Sequence, residues 1–372
     1  MTTTLPAPPT GYRADLTALR RLRAEHRARV ASGPHAAAAE LTLRHRDVML
    51  TGGRPEELLQ LGGDLDGVID RFPTWPDLRL LRATVALELH RADLARSALD
   101  AVPGLAEQPP GRVLDADVAA FTGDYAAARA GYLQAAREDP GWATTARLAA
   151  LAVETGDVEE ADERYAAAEE EITVKQMRAF AWVRVRRADL ALALADSARA
   201  ERRYTDADRA YPGWWYVTAR RAAFDAALGR TEEAVAGYRE VLAEVDRPEF
   251  SEALGVVFAA AGETEAAAAC QATAVAAYTR SAARGEVHYL HHLAAFHADV
   301  RPDAVAAITW ARKDVALRRS GSTLSLLAWC LHRGGRTAEA LPVLDEAFAL
   351  GAASPRLQAR AREIRCATLG RS

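Results

Sequence analysis

Isoleucine is almost missing from this chain, with four residues in 372 against 85 alanines. Alanine is the best helix former and β-branched residues favour strands, so the imbalance argues against any sheet-based fold and predicts an all-α one. Lysine is equally scarce: Lys175 and Lys313 stand alone, positive charge rests on arginine, and the formal net charge is −4. No global positive field is left to attract nucleic acid or an anionic membrane, so neither is expected as a partner. Cys270, Cys330 and Cys366 are an odd number at long spacings without a C-x-x-C pair. That excludes a disulfide framework and a cysteine-based zinc site, and points to a reducing, cytoplasmic chain. No run of about 18 apolar residues is available for a membrane span, and the stretch to Pro9 lacks the charged start and apolar core of a signal peptide. Residues 1–12 are expected to form a disordered lead. A Gly-rich phosphate loop and a G-x-S-x-G elbow are both missing, so no nucleotide site or nucleophile is indicated, and the chain reads as a binding protein before an enzyme. Arg-heavy genomes of high GC content, bacterial ones above all, give this pairing of many Arg and Ala with few Lys.

What the sequence does contain is a repeat. Gly123, Ala128, Tyr132 and Ala135 return 33 residues later as Gly156, Ala161, Tyr165 and Ala168. Gly229 with Ala234, Gly262 with Ala267, and Gly335 with Ala340, Leu344 and Ala347 keep the same internal spacing. The physical reading is a pair of antiparallel helices joined at a glycine that takes positive φ, with a small alanine five residues on to let the helices approach. Thr231, Thr264 and Thr337 are expected to cap the second helices. Units should begin near residues 76, 110, 142, 174, 215, 248, 287 and 321. Ala188 is assigned the turn position of its unit, which makes residues 204–211 an insertion; a longer loop at residues 299–303 replaces another tight turn. Pro342 should kink or shorten its helix.

The spacing resembles the tetratricopeptide repeat family, most closely over Gly123, Asp124, Tyr125, Ala128, Tyr132, Ala135 and Pro140, and again over Leu254, Gly255, Phe258, Gly262 and Ala267. The family's early Trp is absent from most units. The resemblance implies an all-α, right-handed α-solenoid: residues 13–75 as an N-terminal helical region with degenerate repeats, 76–354 as tetratricopeptide-like repeats, and 355–372 as a capping helix and tail. It further implies a concave groove, lined by the first helix of each pair, that binds a peptide, a protein or a small anionic ligand.

With Phe180, Leu254, Leu293 and Leu327 as buried anchors, the inward face of each first helix follows from helical spacing. Lys175, Arg178, Trp182 and Arg186 form a basic, aromatic patch, joined by Trp215, Tyr216 and Trp329 as candidate ligand-binding residues; Trp214 is expected to pack between repeats. Five of the nine histidines lie between residues 288 and 332. Glu249 and Glu252 are assigned to the same two inward positions as His288 and His291 one unit on. With His332 they make a candidate site for Zn, Fe, Ni or Cu, and hence an alternative reading as a metal-dependent binding protein or enzyme. Polar residues on such a face also occur simply because they meet water.

Overall fold

The computed structural model describes residues 11–27 and 33–369 and holds, among these, twenty α-helices and no strand. Three helices lead: α1 (Tyr12–Arg27), α2 (Pro34–Leu50) and α3 (Pro55–Ile69). Eight antiparallel pairs follow. They are α4 (Pro76–Glu88) with α5 (Ala92–Asp100), α6 (Pro109–Thr122) with α7 (Tyr125–Glu138), α8 (Trp142–Thr155) with α9 (Val158–Glu171), and α10 (Met177–Ala193) with α11 (Ser197–Ala210). Next come α12 (Trp215–Ala227) with α13 (Thr231–Glu244), α14 (Pro248–Ala260) with α15 (Thr264–Ala283), α16 (Leu290–Ala295) with α17 (Ala304–Leu317), and α18 (Gly321–Arg333) with α19 (Thr337–Ala349). Helix α20 (Pro355–Leu369) closes the array. The chain is an all-helical, tetratricopeptide-like solenoid. Residues 1–10 of the expected lead lie outside the described residues, whereas Tyr12 is buried and its N–H donates to the Pro212 carbonyl at 3.3 Å.

Local rules account for the pairs. Proline occupies the first turn of α3, α4, α6 and α14, where no N–H is needed. All five repeat glycines sit at the expected turns with φ between 73° and 94°. The alanine five residues beyond each, at 128, 161, 234, 267 and 340, is at most 3% exposed, so the second helix lies directly on the first. His90 and Ala195 make the same left-handed turn with φ of 61° and 62°. Ala195, not Ala188, is therefore the turn residue of its unit; Ala188 lies buried inside α10. Residues 204–211 are no insertion, since Tyr204 belongs to the regular helix α11 and Tyr211 follows it. The extra length falls in the connection at residues 172–176, where the Thr173 amide donates to Gln176 Oε1.

Thr231, Thr264 and Thr337 are first-turn residues and cap nothing. Side-chain caps come instead from Asp124, Asp157, Asp196, Asp303 and Ser320, each accepting the amide three residues on. Around residues 299–303 the turn is replaced by a π-helical end to α16, Phe296–Val300. Helix α19 continues through Pro342, whose ring faces solvent.

Repeat stacking alone would leave an open spiral, but this one touches itself. Elements ten to twelve helices apart meet along two seams. At the first, α2 and the turn after it rest on the middle repeats: Trp215 Nε1 donates to the Leu50 carbonyl at 2.8 Å and Arg247 to that of Gly52 at 2.9 Å. Tyr211 O–H donates to Asp15 at 2.8 Å on the same seam. At the second, the Gly321 amide donates to the Tyr125 hydroxyl and the Ala353 amide to the Glu154 carbonyl, both at 2.9 Å. One apolar cluster runs across that seam, from Tyr125, Tyr132 and Leu151 to Ala352, Leu357 and Ile364.

Candidate functional site

Fixing the turn at Ala195 puts the inner polar residues in register and exposes a network built twice. Asp117, six residues before the Gly123 turn, accepts from Tyr132 O–H at 2.7 Å and from Arg147 Nε, in the next unit, at 2.8 Å. Asp189, six before Ala195, likewise accepts from Tyr204 O–H at 2.6 Å and pairs with Arg220 of the following unit at 2.8 Å. Tyr132 and Tyr204 stand nine residues after their turns, Arg147 and Arg220 nine before theirs. Each set is a tyrosine, a carboxylate and an arginine holding adjacent units together.

Between these two sets lies a third that is incomplete. Tyr165 and Arg186 occupy the tyrosine and arginine positions, but the carboxylate position is Ala150. Arg186 Nε reaches the Tyr165 hydroxyl at 3.5 Å, and its Nη1 stands 3.7 Å from Asp189 Oδ2, a loose ion pair with the carboxylate oxygen that Tyr204 and Arg220, both on Oδ1, leave without a hydrogen bond. The guanidinium also lies 6.0 Å from the centre of the Trp182 ring, and Trp182 meets Tyr165 edge-on at 6.5 Å. Burial opposes its charge, but the Tyr165 and Tyr216 hydroxyls and Asp189 outweigh that and keep it firmly protonated.

Arg186 faces two adjoining cavities enclosed by the second seam. One, of about 290 Å³, runs from Tyr165 and Leu190 to Ser325 and Arg360. The other, of about 420 Å³, includes Ala150, Phe121 and Arg318. Glu154 lines both; burial raises its pKa, Arg186 opposes that shift, and no ion pair within 4 Å joins the two. The pocket wall is thus an arginine short of its carboxylate beside a carboxylate reluctant to ionise.

The residues expected to bind ligand divide accordingly. Trp182, Arg186 and Tyr216 come together, with Tyr216 packed on Trp214 at 5.0 Å between ring centres. Trp329 lies outside the cavity lining, its indole N–H donating to Asp299 at 2.8 Å and Arg360 over its ring. Arg178 is exposed in the first turn of α10, and Lys175 is exposed before that helix begins, so it shares no helical face with the others. Trp215, also a candidate for ligand contact, is 9% exposed and bound to Leu50, so it serves the first seam.

The histidine and glutamate set does not assemble. Helix α16 begins at Leu290, which leaves His288 ahead of it and breaks the assumed equivalence with Glu249 and Glu252. His288 Nε2 pairs with Ser281 Oγ at 3.1 Å, and His291 Nδ1 with the buried Asp314 at 2.9 Å. His332 Nδ1 meets Thr337 Oγ1 at 3.1 Å, Glu249 is taken by Arg247, and Glu252 accepts from Tyr278 O–H at 2.7 Å. Among the described residues no three His, Cys, Asp or Glu side chains are placed to hold a metal ion. Cys330 is buried, which lifts its thiol to about 12. No helix among the described residues is long and apolar enough to cross a membrane.

No family model and no curated protein matches the chain. Solved structures similar to it are tetratricopeptide repeat proteins. A thermophilic TPR protein of Thermus thermophilus is 22% identical, with 45% of this chain and 90% of that one covered and a TM-score of 0.38. Yeast Tom70 is 12% identical over 95% of this chain and 96% of its own, with a TM-score of 0.41. Cut9 in the APC/C hetero-tetramer Cut9-Hcn1 is 15% identical over 86% of this chain and 55% of its own, with a TM-score of 0.47. These are likenesses of fold.

Proposed function

We propose that this tetratricopeptide-like solenoid binds a small anionic ligand inside its closed spiral, at Arg186, with Trp182 beside that guanidinium. The observation that carries the reading is the missing carboxylate at Ala150. Two neighbouring units neutralise the equivalent arginine with Asp117 and Asp189, whereas Arg186 reaches no carboxylate closer than 3.7 Å. A partly buried guanidinium without a close counter-ion is costly, and an incoming anion relieves that cost. Tyr165 and Leu190 line the cavity beside it and offer apolar surface for the rest of the ligand. The cavities of about 290 and 420 Å³ have the size of a small molecule rather than of an extended peptide.

The test restores the missing group. Ala150→Asp should complete the third network, raise the melting temperature and abolish binding in a calorimetric screen of small anions; Arg186→Gln should abolish binding without raising it. Binding of succinate, a small carboxylate, that survives both substitutions would contradict the assignment.

A second reading, a peptide partner, is favoured by a wider groove of about 850 Å³ between α2, α4, α6 and α8, walled by Leu80, Leu81, Val113 and Leu114. Peptides selected against the whole chain should lose binding on Leu80→Asp if they lie there, and keep it if they do not.

A further inference from the structure

The wall opposite Arg186 belongs to α20 and carries a second poorly compensated cation. Arg360 is 8% exposed, and its one hydrogen bond among the described residues goes to Ser325 Oγ at 3.3 Å. No carboxylate among the described residues lies within ion-pairing distance of it. Its guanidinium rests 5.7 Å from the Trp329 ring centre, which replaces only part of lost hydration. One turn earlier on the same face is Arg356, a like charge lining the same cavity. Burial and this repulsion both work against the charge and bring Arg360 down to about 10. Arg360 therefore stays protonated at neutral pH while remaining poorly compensated.

Hydroxyls surround the pair. Ser322, Ser325 and Ser354 line the same cavity, Ser354 immediately before the first turn of α20. The acidic and titratable groups facing it are Glu154, Asp189 and His291. Of these, Asp189 is held through Oδ1 by Arg220 and Tyr204 and has Oδ2 3.7 Å from Arg186, His291 is held by Asp314, and Glu154 is disfavoured as an anion by burial. Three guanidiniums and three serine hydroxyls thus line about 290 Å³, outnumbering the Asp189 and Glu154 carboxyls there.

We propose that this cavity takes a phosphate-bearing small molecule, its phosphate held by Arg356 and Arg360 and the serine hydroxyls of the α18–α20 wall, and its remainder directed toward Arg186 and Tyr165. The inference rests on the anion-binding reading above and adds the ligand class and the second wall. A planar carboxylate is satisfied by one guanidinium fork. A tetrahedral dianion presents acceptors in several directions and matches donors arriving from two arginines and separate hydroxyls. Such a ligand would bridge α10 to α20 across the second seam.

Inorganic phosphate is the probe, titrated calorimetrically into the whole chain at constant ionic strength, with succinate as the carboxylate comparison. Phosphate should bind at one site, more tightly than succinate. Arg356→Ala, an exposed position that leaves packing intact, should weaken it at least tenfold, and Ser322→Ala about threefold. Arg360→Gln should abolish binding while melting no lower than the parent without phosphate, because it removes a poorly compensated buried charge. Phosphate binding unchanged by Arg356→Ala and Arg360→Gln, or succinate binding lost with Arg186→Gln in a chain that ignores phosphate, would overturn this proposal and leave the anion-binding reading standing. A chain that binds neither probe would overturn both.

Discussion

Gly123 and Gly156 make the same left-handed turn as Gly229, Gly262 and Gly335, and nothing in the sequence separates the two groups. Their surroundings do. A methyl group built on Gly123 would stand 2.5 Å from the Arg319 carbonyl oxygen, and one on Gly156 2.6 Å from that of Ala353, whereas at the other three it meets nothing within 4 Å. The first two turns answer to backbone conformation and to the neighbouring turn of the spiral; the others answer to conformation alone. Identical repeat positions therefore carry different loads once the solenoid closes on itself.

Substitutions should expose the difference, beginning with the anchor of the first seam. Trp215→Ala removes a buried indole and its bond to Leu50 and should cost about 3–5 kcal/mol, read as a lower urea midpoint. Tyr216→Ala, one residue on but outside that seam, should cost clearly less. At the second seam, Gly156→Ala and Gly123→Ala should cost about 1–2 kcal/mol for the positive φ and about 1–3 kcal/mol more for the backbone clash. Gly229→Ala and Gly262→Ala should show the first component only. Equal losses at all four glycines would break the comparison.

Acid should loosen the same region. His90, beside Phe121 near the second seam, is brought down to about 3 by burial and then by Arg318, and His292, stacked on Tyr278, to about 4 by burial. Both are held neutral in the fold below their ordinary pKa of about 6.5, so the unfolded chain takes up protons first as pH falls. Stability is full above pH 6.5 and is lost as pH falls from there toward 4 and then 3, by about 1–2 kcal/mol per histidine at pH 4.5 after allowing for solvent screening. His90→Gly should flatten part of that decline in melts taken from pH 7 to 4.5. The smallest effect is a gain: Ala195→Gly relieves a non-glycine left-handed turn at an exposed site and should add about 0.5–1 kcal/mol.

The unit starts, the five glycine turns and the buried alanines were legible because short-range packing repeats in sequence as well as in space. Ala195 was not, since alanine carries no turn signal, and mistaking Ala188 for it shifted one unit out of register. Helical spacing still singled out Trp182, Arg186 and Tyr216, but the shift hid the repeated tyrosine, carboxylate and arginine pattern around them. With Ala195 as the reference, Tyr165, Arg186 and Ala150 fall into the positions of Tyr132, Arg147 and Asp117, and the missing carboxylate can be read from the chain. The expected histidine and glutamate cluster failed for the reverse reason: α16 is short and begins after His288, so the assumed equivalence of units did not hold there. The seams have no sequence signature, because Leu50 with Trp215, or Glu154 with Ala353, meet through backbone carbonyls that any residue provides.

Closure of the spiral is most directly tested by native-state hydrogen exchange at the Ala353 amide. It lies in the connection between α19 and α20 and has no helical partner, so its bond to the Glu154 carbonyl at 2.9 Å is the source of its protection. A closed spiral predicts slow exchange at Ala353, collapsing in Gly156→Ala and unaffected by Gly262→Ala. Exchange at the rate of an unstructured loop in the parent chain would contradict closure.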